Sequence, residues 1–419
     1  MDHATSQSNH NPTIFSIILY AKMVESNRKG MTMYKVNDKL YNWASIIDPN
    51  ALIQAETTSR LPFVERVALM PDAHVGMGAT VGSVIGTNGA IIPAAVGVDI
   101  GCGMAAVHFD MKADQLPDNM DKFMPMVERA IPAGVGQGHA ETSKQASAWL
   151  DANLPKFSTA LDSRLKGKAL EQFGSLGSGN HFFEVCLDEN DEVWIVLHSG
   201  SRGLGNILGT THINKAKKLA VEKGRGLEDK NLAYFMDTDD DFQMYIDDML
   251  ACQDYAAANR QQMLTRAVQA FREFISATPK MKERINCHHN FTQLETQPDG
   301  SSLWITRKGA IKAATGDLGI IPGSMGARSY IVEGLGNDDS FCSCSHGAGR
   351  VYSRSDAKKL FSADDLRAHM KGKAWNSDRA SSLVDEIPDA YKPIDQVMAD
   401  QADLVSTKYV LSQVFNYKG

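Results

Sequence analysis

The sequence predicts an α+β fold in a single large domain, on three observations. Strand-like and helix-like segments are mixed without strict βαβ alternation. No repeat or low-complexity linker divides the chain. Residues of strong chemical character are scattered from position 99 to 418, which is simplest if one domain folds around one site.

Each element has its own justification. From Leu61 to Ile92 apolar stretches broken by glycine (VALM, GATVGSVIGT, then AIIPAAVGV) read as strands. Asp118–Ile131 reads as a short amphipathic helix entered at Pro117, although Pro125 inside it would remove a backbone hydrogen bond. Glu192–Leu197 (EVWIVL) reads as a buried strand ending at His198. Asp241–Ile275 is the strongest helix, because Ile246, Met249, Leu250, Met263, Leu264, Ala267, Phe271 and Phe274 recur near the 3.6-residue period. Further helices are expected over Ser355–Met370 and Ile394–Val414.

At the start, Thr13–Ala21 (TIFSIILYA) is an apolar run preceded by Asp2 and by no Lys or Arg. It lacks the positive flank of a signal peptide and falls far short of the ~20 residues that span a bilayer. Residues 1–30 are expected to be a poorly ordered extension, with the working chain beginning near Met31 or Met33 and one domain over 31–419.

The net charge of −7 excludes a surface that coats nucleic acid non-specifically, so any phosphate-backbone contact must come from a local patch. The cysteines at 102, 186, 252, 287, 342 and 344 show no disulfide framework, which points to reduced thiols in a cytoplasmic setting. The 34 glycines cluster near His, Asp and Cys, where they let backbone approach a ligand.

Five residues suggest a metal centre. Asp99 and Cys102 lie in VGVDIGCGM, His181 in GSGNHFFE, His198 in LHSGSRG and His289 in CHHNF. Carboxylate, thiolate and imidazole are the standard ligands of divalent transition metals, and a thiolate can bridge two ions. Singly, each is better read as a satisfied polar residue; together they form a constellation. His74, in PDAHVG, reads as a loop or supporting residue, and no CxxC pair suggests a zinc finger.

The second focus is FCSCSHGAGRVYSR, residues 341–354. Gly347, Ala348 and Gly349 leave room for a phosphate beside His346, and Arg350 and Arg354 carry guanidinium forks that match phosphate oxygens. A neutral imidazole is a competent nucleophile at phosphorus. The glycine-rich turns at 174–180, 199–206 and 322–329 could supply N–H donors, but none is a P-loop.

The blocks MPDAHVGMGATVGSVI, AAVGVDIGCGM, GSGNHFFEV, LHSGSRGLGN, INCHHNF, TRKGA, IIPGSMGARSYIV and SCSHGAGRVYSR resemble, in order, those of the RtcB family of RNA-splicing ligases. The resemblance runs from about Leu61 to Lys418–Gly419 and implies an RtcB-like fold, with mixed sheets and helices around a central metal and nucleotide cleft. It implies that His346 takes guanylate from GTP, passes it to an RNA 3′-phosphate, and that a 5′-hydroxyl end then displaces GMP. A 2′,3′-cyclic phosphate is opened first in the same site. Two Mn²⁺ ions would be held at Asp99, Cys102, His181, His198 and His289.

The same resemblance implies guanylate contacts at Asn180, Phe182, Glu184, Asn290, Pro322, Gly323, Ser324, Met325, Ser329, Gly347, Ala348, Gly349, Tyr391 and Lys418. Arg202, Lys308, Arg350 and Arg354 would grip RNA phosphates. Archease is an implied partner, and no membrane association is expected. Met77 departs from the family, where many members carry Lys, and residues 135–143 have no assigned counterpart. Two other readings stay open: a metal-dependent phosphoesterase acting on cyclic phosphate without ligation, and an RNA-end-binding protein without catalysis.

Overall fold

The computed structural model describes residues 32–419; the expectations for Thr13–Ala21 and for 1–30 as a poorly ordered extension lie outside the described residues. Two mixed sheets dominate. The first has six strands in the order Tyr34–Asn37, Leu40–Asn42, Val64–His74, Val81–Thr87, Ser302–Lys308 and Asn290–Thr296. The second runs Met281–His288, Gly103–Lys112, Glu192–Ser199, Phe182–Leu187, Val405–Lys418, Ser329–Gly334 and Leu318–Ile321, with Ala374–Trp375 added in parallel to Val405–Lys418.

Period-two side-chain alternation explains why the second sheet can be buried on both faces. In Gly103–Lys112, Ala105, Val107 and Phe109 join one core, while Met104 and Ala106 join another. In Glu192–Ser199, Val193, Ile195 and Leu197 face the first of these cores, and Trp194 and Val196 the second. The helix Asp241–Ile275 spans the range its periodicity predicts and packs Met263, Leu264, Ala267 and Phe271 on the first face. Phe271 is fully buried, so truncating it to Ala would destabilise the fold by ~3–5 kcal/mol. On the other face the sheet curls until its outer strands, Met281–His288 and Leu318–Ile321, come into contact.

Five local expectations need correction. Ile394–Val414 is not one helix: the helix stops at Asp400, and Val405–Lys418 is a 14-residue strand between Phe182–Leu187 and Ser329–Gly334. Its sequence, VSTKYVLSQVFNYK, is rich in β-branched and aromatic residues, and pairing of 405–411 with one neighbour and 412–418 with the other decides the matter. Ser355–Met370 is two helices, Arg354–Leu360 and Ala363–His369, because Ser362 and Asp365 form a capping box that starts a new helix. Near residue 118 the α-helix proper is Met124–Ala130, with Pro125 in its first turn, where no N–H is needed. The strand at Glu192 continues to Ser199, so His198 sits within it, and Pro93–Val96 forms a short helical turn after the strands of 64–91.

Candidate active site

Strand register brings the scattered ligand candidates together. Met104 and Phe182 each pair with His198 from opposite sides, and Gly103 pairs with His288. Cys102, His181 and His289 therefore stand at adjacent strand ends beside His198, although they are far apart in sequence. Asp99 reaches the same point from the turn after Pro93–Val96. A Cβ on Gly200 would lie 2.1 Å from an Asp99 carboxylate oxygen, so only glycine lets this turn close on the cluster.

The donor atoms converge. Cys102 Sγ lies 3.4 Å from His181 Nε2 and 3.2 Å from His198 Nε2. His181 Nε2 is 3.1 Å from Asp99 Oδ2, and His198 Nε2 is 3.1 Å from His289 Nε2. His198 Nδ1 is 3.1 Å from the Asn180 carbonyl; donating there leaves the Nε2 lone pair facing the cluster. Burial pushes His198 and His289 well below the usual imidazole range, so both are neutral, as ligands must be. Burial raises the Asp99 carboxyl, but His181 and Cys102 outweigh it and bring it down to about 2. Burial, followed by the Asp99 charge, pushes the Cys102 thiol well above its ordinary range. A cation bound here would reverse that last shift. One carboxylate, one thiol and three imidazoles, all buried except the part-exposed Asp99, fit a divalent transition metal.

His346 stands next to this cluster, its ring centroid 4.9 Å from that of His289. It follows the strand Ser343–Ser345, and its Nδ1 is 2.6 Å from Oδ2 of the fully buried Asp72. The same oxygen accepts from the backbone N–H groups of His346 and Gly347, each at 3.1 Å. Burial raises the Asp72 carboxyl, but His346, His74 and Lys392 outweigh it, and the net shift is downward. Lys392 Nζ donates to the Pro71 and Ala73 carbonyls at 2.8 and 2.7 Å, clamping the segment that carries Asp72. Gly349, at φ 73°, closes the turn: a Cβ there would lie 2.1 Å from the Asp72 carbonyl oxygen.

A cavity of about 450 Å³ joins His346 to Asp99, Cys102, His198 and His289. Also on its wall are Asn180, Phe182, Glu184, Asn290, Pro322, Gly323, Ser324, Met325, Gly347, Ala348, Gly349, Tyr391, Lys418, Lys308, Arg350 and Arg354. Three expected site residues lie off this wall. His181 belongs to the donor cluster behind it. Ser329 is buried in strand pairing opposite Leu411. Arg202 donates to Ser175 Oγ and the Gln137 carbonyl.

The cations are held rather than free. Lys308 Nζ donates to the Met77 and Ala94 carbonyls, and burial lowers it to about 8. Arg354 pairs with Asp385 and Glu386, and Arg350 donates to Tyr391 Oη and the Asp385 carbonyl. Glu184 faces Asn416 Nδ2 at 2.7 Å, and burial, opposed by Lys418, raises it to about 7. His74 and Met77 line the cavity as well, with loss of hydration pulling His74 down to about 4.

The sequence reading missed Asp72, Lys392 and Glu386. Asp72 stood in the quoted PDAHVG block, two residues from His74; nothing local marks it, because its partner is 274 residues away. All six cysteines are free, and no described helix is long and apolar enough to cross a membrane.

A family model described as the tRNA-splicing ligase RtcB matches residues 54–419. The RNA-splicing ligase RtcB of Escherichia coli K12 is 44% identical over 91% of this chain and 97% of its own length. The protein of that name from Mycobacterium tuberculosis is 31% identical over 83% of this chain and 95% of its own. The tRNA-splicing ligase RtcB of Nanoarchaeum equitans is 30% identical over 87% and 90%. With a donor cluster, a pinned histidine and a shared cavity already assembled from the fold, these matches settle the family: the chain belongs to the RtcB family of RNA-splicing ligases.

Proposed function

We propose that this chain is a GTP- and Mn²⁺-dependent ligase that joins RNA 3′-phosphate or 2′,3′-cyclic phosphate ends to 5′-hydroxyl ends, in tRNA splicing or RNA repair. The observation that carries the reading is His346, fixed by Asp72 at Nδ1 beside a five-residue donor cluster in one cavity.

Asp72 at Nδ1 leaves Nε2 as the nucleophile. Nε2 attacks the α-phosphorus of GTP, pyrophosphate leaves, and a P–N bond to GMP forms. Asp72 balances the positive charge that develops on the ring. An oxygen of the RNA 3′-phosphate then attacks the same phosphorus and the P–N bond breaks. The 5′-hydroxyl oxygen next attacks the 3′-phosphate phosphorus, loses its proton, and GMP departs. Asp99, Cys102, His181, His198 and His289 would hold two Mn²⁺ ions, which supply charge neutralisation on the phosphates and favour the attacking or leaving oxygen.

Guanine recognition falls to Glu184, whose carboxylate accepts the N–H groups on one edge of the base, and to Lys418, which donates toward its carbonyl. Phe182, Tyr391, Asn180, Asn290, Pro322, Gly323, Ser324, Met325 and the 347–349 turn complete the pocket around them. Arg350, Arg354 and Lys308 offer phosphate contacts from the same wall. Ser329 supports the pocket from strand pairing, and Arg202, held by Ser175 Oγ and the Gln137 carbonyl, offers an RNA-phosphate contact outside the cavity wall.

Intact-mass measurement after incubation with GTP and Mn²⁺ tests the reading. An acid-labile GMP adduct that His346→Ala removes is the expected result. Opening of cyclic phosphate with neither adduct nor joining would replace the ligase by a phosphoesterase.

A further inference from the structure

Glu386 is 3% exposed and sits between the two kinds of cation that face the cavity. Its Oε2 is 2.7 Å from Lys418 Nζ and accepts from Tyr391 Oη at 3.0 Å. Its Oε1 is 2.5 Å from Arg354 Nη1 and 3.8 Å from Arg350 Nη1. One carboxylate thus turns one oxygen to the base side of the pocket and the other to the arginines. Tyr391 closes the loop, since its hydroxyl accepts from Arg350 Nη1 at 2.8 Å while donating to Glu386. Asp385 differs: it meets Arg354 at 2.6 Å and Lys358 at 3.3 Å, on the arginine side.

Resting on the ligase reading, we propose that Glu386 is a positioning residue that couples guanine binding to capture of the RNA 3′-phosphate. A guanine carbonyl that draws on Lys418 leaves Glu386 less neutralised at Oε2. The carboxylate then holds Arg354 more firmly through Nη1. The rest of that guanidinium is thereby preorganised as a fork for phosphate oxygens. Occupancy of the base pocket tightens RNA-end binding, and by linkage the RNA end tightens guanine binding equally.

Fluorescence anisotropy with an RNA oligonucleotide ending in 3′-phosphate, in Mn²⁺, tests this with full-length protein. GMP serves as the probe because it fills the base pocket and cannot guanylylate His346. In the unsubstituted protein, saturating GMP should tighten RNA binding about fivefold or more, the lower range of ordinary allosteric coupling, and AMP should not. In Glu386→Gln the ratio should fall to within about twofold of unity, and Glu386→Asp should restore part of it. Asp385→Asn should weaken RNA binding with and without GMP while keeping the ratio. If Glu386→Gln melts at assay temperature, Lys418→Met must lose the ratio instead. A ratio near unity in the unsubstituted protein, or one that survives Glu386→Gln, overturns the proposal. The ligase reading fails separately, by absence of the GMP adduct with GTP.

Discussion

Asp72→Asn removes one charge and almost no volume, so it isolates what that charge does for His346. The replacement amide oxygen can still accept from the His346 and Gly347 N–H groups, which keeps the turn closed. What disappears is a carboxylate 2.6 Å from Nδ1 on a ring that must become cationic during phosphoryl transfer. Losing a charged partner at this range costs ~1.5–3 kcal/mol, or about 10- to 150-fold in rate. A second loss follows if the amide N–H₂ turns toward Nδ1, because the proton then sits on Nε2, where the nucleophilic lone pair should be. In the serine-protease triad the equivalent change slows turnover by about 10⁴. Guanylylation of Asp72→Asn should therefore fall by at least about tenfold and at most about 10⁴, with metal content unchanged. Rapid-quench measurement of labelled GMP transfer to the protein reads this directly. A rate within about threefold of the unsubstituted protein, with the metals bound, would refute the role given to Asp72.

Three further outcomes follow. Burial holds Glu184 at about 7, and guanine N–H groups need its ionised form, so KM for GTP should rise about tenfold from pH 8 to pH 6; a flat profile that Glu184→Gln leaves unaltered would remove it from base recognition. The thiol and three imidazoles favour Zn²⁺ by intrinsic affinity, so Zn²⁺ should fill the chelated protein, measured by metal analysis, yet support little or no joining; strong joining with Zn²⁺ alone would refute this. Arg354→Ala should leave adduct formation within about threefold and weaken joining about tenfold or more, measured as KM for the 3′-phosphate end; equal loss of both steps would make Arg354 part of the nucleotide site.

Local signals carried part of this architecture. The helix Asp241–Ile275 was legible because 35 residues repeat one apolar stripe. The donor candidates were legible because each stands in a glycine turn or at the end of an apolar run, and strand register then placed them side by side. Val405–Lys418 was not legible: its start, just past Ile394–Asp400, gives no local stop, and its strand character comes from two partners far away in sequence. Pro125 misled in the opposite way, since proline forbids a helix interior and favours a helix start, and only the boundary distinguishes the two. Asp72 and Glu386 were invisible for a different reason. A lone carboxylate has no pattern, and what gives these two meaning is burial next to partners supplied by segments hundreds or tens of residues away.

Those two carboxylates share a physical logic. A buried unpaired charge is expensive, so each is retained only where partners surround it, and removing one partner leaves the rest uncompensated. Asp72 is compensated around the imidazole that must react, by the N–H groups of His346 and Gly347 and by nearby Lys392, and Glu386 by the cations that face the base pocket and the arginines beside it. In both places the groups that balance the fold electrostatically are the groups that would meet phosphate or base. Substrate therefore enters as a competitor for charges that already stabilise the protein. The donor cluster is the extreme case, with an acid, a thiol and three imidazoles packed within hydrogen-bonding distance. Such a cluster favours a bound cation because the ion replaces mutual desolvation with ligation. The C-terminal strand ties the whole together: residues 405–411 pair with Ser329–Gly334, residues 412–418 pair with Phe182–Leu187, and the strand ends by delivering Lys418 to the cavity. Site and fold are thus not separable here, because the strand that brings Lys418 to the pocket also supplies Phe415 and Tyr417 to the core.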